Sequence, residues 1–156
     1  MNKDIFIAML NKINIVSRYK DLCGSYNAES DHLSGNHHDI YKEYLEKYGY
    51  VIEADRRESF FRFNSQIDGE LSLGMQFVLK DGLVETVLGI RVNNVVIMPS
   101  GRIDFMPMQM GVEFDRKLYN LPKYKNFEEL ERILDVLFDI FDDLKKEIIK
   151  STHNLT

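Results

Sequence analysis

Residues 70–92 read ELSLGMQFVLKDGLVETVLGIRV, and their alternation decides the fold class. Asp81-Gly82 is a two-residue hairpin signal, because both central residues of that turn take positive φ, which Gly adopts freely and Asp tolerates. In the register set by this turn, Leu79 faces Val84, Phe77 faces Thr86, Met75 faces Leu88, Leu73 faces Ile90 and Leu71 faces Val92. Nearly all of that face is apolar, and a slip of one residue would turn it toward solvent. The opposite face carries Ser72 opposite Arg91, Gln76 opposite Val87, Val78 opposite Glu85, and Gly74 beside Gly89. Two glycines side by side predict a bend in the sheet or room for a packed side chain. The second reading is a dent where a ligand or partner approaches the backbone.

Working outward, a second hairpin is expected over 95–106. Pro99-Ser100-Gly101 serves as its three-residue loop and pairs Val95 and Ile97 with Ile103 and Phe105. Strands near 50–54 and 59–64 complete the sheet. Upstream, Ile5, Met9, Ile13, Val16 and Tyr19 recur at helical spacing up to Leu22-Cys23-Gly24, where Gly suits the position after a helix end. Segment 25–38 is polar and rich in breakers, so it reads as a loop. A second helix is expected from Asn36, as its cap, to Tyr48, with Asp39 in its first turn and Gly49 closing it. Segment 107–125 is irregular, and Leu121-Pro122 interrupts the chain before the last helix. The expected fold is therefore α+β. An antiparallel meander of about five to six strands, with hairpins 70–92 and 95–106, packs with two N-terminal helices and one long C-terminal helix in a single domain over 1–156.

That last helix runs from Asn126 to Lys150, with Asn126 and Glu129 as cap and third-position acid. At about 100° per residue, Phe127, Leu130, Ile133, Leu134, Leu137, Phe141, Leu144 and Ile148 gather on one broad face. Glu128, Glu131, Asp135, Asp139 and Asp142 fall within about 80° of one another on the opposite side. Like charges at this spacing destabilise an isolated helix by a few tenths of a kcal/mol per pair. The ridge is thus a local cost that serves solubility or a basic partner. Reversing Asp135, Asp139 and Asp142 to Lys is expected to leave folding nearly intact.

Composition narrows the partners. The 156 residues carry 25 acids against 20 bases, a formal net charge of −5. That balance argues against a general nucleic-acid binder, whose affinity rests on Lys and Arg contacting phosphates. Arg56, Arg57 and Arg62 interleave with Phe60, Phe61 and Phe63, yet alternating Phe residues on a strand read first as core. Cys23 is the only cysteine, which excludes an internal disulfide and a thiolate zinc cluster. The apolar run Ile5–Leu10 is too short for a signal peptide or a span, so the expected compartment is the cytoplasm.

Few residues suggest chemistry. His32, His37 and His38 crowd one loop with Glu29, Asp31 and Asp39, but the spacing matches no zinc pattern. Cys23 reads as a small buried hydrophobe rather than a nucleophile. Met106, Met108 and Met110 read as filling for a gap beneath the irregular segment. No G-x-S-x-G, P-loop, G-x-G-x-x-G or H-E-x-x-H motif occurs. The expectation is a protein with no catalytic residue, no metal and no cofactor, whose partner-binding residues are Glu128, Glu131, Asp135, Asp139 and Asp142.

With that ridge as its nearest approach to a site, the whole chain resembles the bacterial immunity proteins that block toxins of contact-dependent and other polymorphic systems. Such proteins are commonly small, acidic, cytoplasmic single domains of mixed α+β fold. The resemblance implies an antitoxin whose cognate partner is a basic toxin, often a nuclease, held by charge complementarity. It implies no nucleic-acid or membrane partner, and a monomer or homodimer. Two other readings stand beside it. Type III secretion chaperones are also small, acidic and α+β, although the helix between strand groups that they show is missing from this order. An enzyme or small-ligand module would use the histidine loop or the Gly74–Gly89 dent.

Overall fold

The computed structural model describes residues 1–27 and 31–153. Two helices, α1 (Lys3–Lys12) and α2 (Ile15–Ser25), replace the single first helix expected from periodicity. The break falls at Asn14, which takes φ 57 and ψ 42, a left-handed conformation that Asn adopts more readily than bulkier residues. It also re-aims the apolar face, so Phe6, Met9, Leu10 and Ile13 are buried while Ile5 is 40% exposed. Gly24, expected beyond the helix end, lies inside α2. Helix α3 (His38–Glu46) starts later than expected, with His37 in the cap position. Asn36 does not cap it; it lies one residue before the cap position, and its Nδ2 donates to Ser59 Oγ at 2.7 Å. Gly49, at φ 91, follows α3 and donates its N–H to Glu46 O at 3.1 Å.

Five antiparallel strands follow in simple meander order: β1 (Glu53–Asp55), β2 (Phe60–Gln66), β3 (Leu71–Lys80), β4 (Leu83–Val92) and β5 (Val95–Arg102). The β3–β4 register is the one expected, from Leu71 opposite Val92 to Lys80 opposite Leu83. Asp81 (φ 52) and Gly82 (φ 75) supply the positive φ pair of the turn. A Cβ on Gly82 would lie 2.4 Å from His32 Cβ and 3.0 Å from Tyr124 O. Gly82→Val therefore adds a clash to a backbone conformation that β-branched residues resist. We expect a loss of about 1–3 kcal/mol, read by thermal or urea unfolding; an unchanged midpoint would refute this role for the turn.

The expected hairpin 95–106 does not form. Residues 95–102 are one continuous strand, and Val95 and Ile97 pair with Val92 and Ile90 rather than with Ile103 and Phe105. The turn into β5 is made by Asn93 (φ 53) and Asn94 (φ 66). Pro99 and Ser100 lie instead in a bulge opposite Gly89, where the register shifts between Leu88 and Ile90. A bulge accommodates a residue with no N–H to donate. Ser100 Oγ replaces the interrupted ladder, accepting from Ile90 N–H at 2.9 Å and donating to Ile97 O at 2.6 Å.

After β5 come a short helix, α4 (Met106–Gln109), an irregular stretch, and α5 (Phe127–His153). The irregular stretch is pinned by Asp104, only 1% exposed. Its carboxylate accepts two bonds of 3.0 Å from Arg102 and one of 3.0 Å from Arg116. Both guanidinium groups also lie over the Phe105 ring, at 4.9 and 3.7 Å from its centre. Of the three methionines, Met106 is buried, Met110 half-buried and Met108 59% exposed, so only part of the series fills a gap.

The helices cover one face of the sheet. Phe61, Phe63, Leu73, Met75, Phe77, Leu79, Val84, Leu88 and Ile90 form one core with side chains of α1, α2, α3 and α5. The alternate residues of β2, β3 and β4 are half-buried or exposed.

Candidate partner-binding surface

Helix α5 begins as its sequence dictates. Asn126 Oδ1 accepts from Glu129 N–H at 2.8 Å, and the Glu129 carboxylate reaches back to Lys125 N–H at 2.9 Å. Its buried face is wider than expected, since Phe138 and Ile140 join Leu130, Ile133, Leu134, Leu137, Phe141, Leu144 and Ile148, while Phe127 is half-buried. Phe138 borders the acidic ridge and anchors an aromatic stack. Tyr48 lies parallel to it at 3.8 Å between ring centres, Phe63 at 5.2 Å and Phe77 at 5.9 Å. Such stacks add about 0.5–1.5 kcal/mol per pair beyond the area they bury.

The stack brings three tyrosines, from α3 and the segment just after it, alongside the ridge. Tyr48 donates its hydroxyl to Asp135, Tyr50 donates to Asp142 at 3.1 Å, and Tyr44 lies beside Glu131. Lys47 completes the seam, its Nζ 3.2 Å from Glu131 and 5.8 and 5.5 Å from the Tyr44 and Tyr48 ring centres. Lys145 sits over Tyr50 at 5.4 Å. Lys47 thus occupies a seat made of a carboxylate and π faces, both of which attract a cation, while Lys145 rests on a π face.

The five ridge acids consequently divide. Glu131, Asp135 and Asp142 are engaged by Lys47, Tyr48 and Tyr50, and Glu131 and Asp142 are half-buried. Glu128 and Asp139 are exposed and make no ion pair or hydrogen bond through their side chains among the described residues, and Asp135 is exposed despite its bond. The expectation that reversing Asp135, Asp139 and Asp142 together would spare the fold needs correction, because two of the three accept tyrosine hydroxyls.

The carboxylates leave their mark on the phenols. Tyr50 is pushed up to about 12, first by burial and then by the charge of Asp142 and the bond to it. Tyr48 is raised as well, by burial, then by its bond to Asp135 and the charges of Asp135, Glu131 and Asp139. Because the folded values exceed the ordinary 10.0, the unfolded chain gives up these protons first. Stability from this seam is fully present below pH 10 and is lost as pH rises through about 12. A Tyr48→Phe/Tyr50→Phe variant is expected to lose less stability than wild type across that alkaline window. Equal losses in pH-dependent chemical unfolding would contradict the assignment.

No family model, curated protein or solved structure matches this chain. The residues themselves must therefore carry any functional reading. Among the described residues, the histidine loop brings no metal-ligating set together. His38 is buried and stacked on Phe61 at 4.7 Å, His37 bonds Ser34 O at 3.0 Å, and Glu29 lies outside the described residues. No three His, Cys, Asp or Glu side chains among the described residues are placed to hold a metal. Cys23 is buried, and burial pushes its thiol up to about 12, which suppresses the thiolate a nucleophile needs. Phe61 and Phe63 belong to the core, and Arg62 pairs with Glu53 at 2.7 Å. No helix among the described residues is long and apolar enough to cross a membrane.

Sequence reasoning found the ridge but missed Tyr44, Lys47, Tyr48 and Tyr50. A signal was present, since Tyr44 and Tyr48 stand four residues apart, on one face of the helix expected up to Tyr48, with Lys47 between them, although α3 itself ends at Glu46. Nothing in the linear pattern, however, says which helix that face meets.

Proposed function

We propose that this chain is a non-enzymatic binding protein of the bacterial immunity type, which neutralises a cognate basic toxin in the cytoplasm through the surface shared by α3 and α5. The observation that carries this reading is the seam itself: the exposed carboxylates of Asp135 and Asp139 stand beside Tyr48, next to tyrosine faces already seating the chain's own lysines. Glu128 is exposed on the same helix. A partner's Arg or Lys finds the same chemistry there, and Arg, with its planar fork, uses both the carboxylate and the ring better than Lys does. Tyrosines beside the charges also supply the rigid aromatic area in which binding energy concentrates. Exposed acids mainly accelerate encounter and select a basic partner, while the aromatic seats govern residence time.

The test is co-expression. A basic nuclease-type toxin that arrests growth is expected to be held by this chain in a stable complex and to be silenced by it. Continued toxicity in the presence of a complex would leave a binding protein that does not neutralise, and the absence of any basic partner would remove the reading.

A further inference from the structure

Across the sheet from α5, the open face of β2–β5 forms a shallow hollow of about 440 Å³. Its floor is one cross-strand row in which Asn64 pairs with Gly74, Gly74 with Gly89, and Ser100 fills the bulge beside Gly89. The two glycines make room for these neighbours, since a Cβ on Gly74 would lie 2.3 Å from Asn64 Oδ1 and one on Gly89 would lie 3.2 Å from Ser100 Cβ. Arg62 and Gln76 form the row on one side of this floor, and Gln66, Ser72 and Arg91 the row on the other.

The lining is chemically one-sided. In a protein of net charge −5, two arginines and several carboxamides and hydroxyls face the hollow, and no Asp or Glu among the described residues lines it. The side chains of Asn64, Ser72, Gln76, Arg91 and Asn94 make no hydrogen bond or ion pair among the described residues. Arg62 spends only its Nε on Glu53, at 2.7 Å. The paired strands β2–β4 and the bulge held by Ser100 Oγ fix the backbone beneath these groups, so ordering them around a ligand loses less freedom than ordering a loop would.

We propose that this hollow binds a small organic anion, with a carboxylate or phosphate group on Arg91 and a polar body on the carboxamides. A guanidinium fork matches either oxyanion with two parallel bonds. The carboxamides of Asn64 and Gln76 both donate and accept, which suits a body rich in hydroxyls or ring nitrogens. The volume falls within the range of small-molecule sites. Two arginines in an acidic protein favour a monomeric anion over a nucleic-acid strand, whose affinity grows with the number of phosphates neutralised. The site lies on the face opposite the α3–α5 seam and does not depend on the function proposed for that seam.

The experiment titrates the isotope-labelled full chain with adenosine 5′-monophosphate, with citrate, and with adenosine as the neutral control, following backbone amides by NMR. The expected result is saturable shifts at Asn64, Gly74, Gln76, Gly89 and Arg91 with one of the anions and not with adenosine. A response to the nucleotide alone assigns a phosphate site, and a response to citrate alone a carboxylate site. Loss of a charged hydrogen-bond donor costs about tenfold or more in affinity, so Arg91→Ala is expected to weaken binding at least that much with an unchanged melting temperature. Gln76→Ala, which leaves both arginines in place, is expected to weaken it less. Absence of saturable shifts with both anions, shifts confined to other surfaces, or equal affinity in Arg91→Ala would overturn the proposal.

Discussion

Phe138→Ala is expected to destabilise the protein by about 3–5 kcal/mol, the range for removing a fully packed aromatic ring. The ring is 1% exposed and lies between Tyr48 on one side and the sheet residues Phe63 and Phe77 on the other. It is the point where α5, the sheet and the segment after α3 meet, so the cavity left behind has little freedom to collapse. A loss of this size is a large share of the 5–15 kcal/mol typical of a folded domain. It should lower the melting temperature by about 10 °C. Tyr48 would lose its stacking surface together with the geometry of its bond to Asp135, so the α3–α5 seam should loosen with the core. A loss below about 1 kcal/mol in urea unfolding would show that this contact is not the keystone its geometry indicates.

The second large effect concerns binding. Glu128→Lys/Asp139→Lys changes the local charge by four units at two exposed positions whose side chains hold nothing else among the described residues. Stability should move by no more than about 0.5 kcal/mol per site. Affinity for a basic protein partner should fall about a hundredfold or more, because attraction turns into repulsion and close charge pairs at interfaces are worth about 1.5 kcal/mol upward. Most of the early loss should appear in the association rate and should shrink as salt rises, since exposed charges are screened beyond about 8 Å at physiological ionic strength. Affinity unchanged by the reversal would remove these carboxylates from the interface. Lys47→Ala provides the opposite sign. Vacating the seat formed by Tyr44, Tyr48 and Glu131 should strengthen a partner that inserts a cation there.

The fold was legible wherever one short stretch carried its whole specification. Residues 71–92 contain both the turn chemistry and the alternation, so the β3–β4 register follows without tertiary information. The same logic failed one strand later, because Asn93-Asn94 and Pro99-Ser100-Gly101 are both credible turns and the choice between them rests on pairing. With the Asn pair in the turn, Ile97 meets Ile90 and Ser100 Oγ satisfies the bulge. Asn14 broke a helix whose apolar spacing runs straight through it, because Asn tolerates the left-handed conformation that periodicity does not register, and the break leaves Phe6 and Leu10 fully buried. The acidic ridge was readable from helical geometry alone. The engagement of Glu131, Asp135 and Asp142 was not, because their partners come from a segment roughly ninety residues earlier, and no periodicity within α5 reports on it.

The most direct measurement immobilises wild type and the Glu128→Lys/Asp139→Lys variant, passes native-host lysate over each, and identifies by mass spectrometry what is retained. The retained protein is then expressed alone, with wild type, and with the variant. The predicted result is one basic protein held by wild type and lost by the variant, whose arrest of growth is relieved by wild type only. A partner held equally by both chains, or a retained protein whose effect on growth wild type does not relieve, would contradict the account.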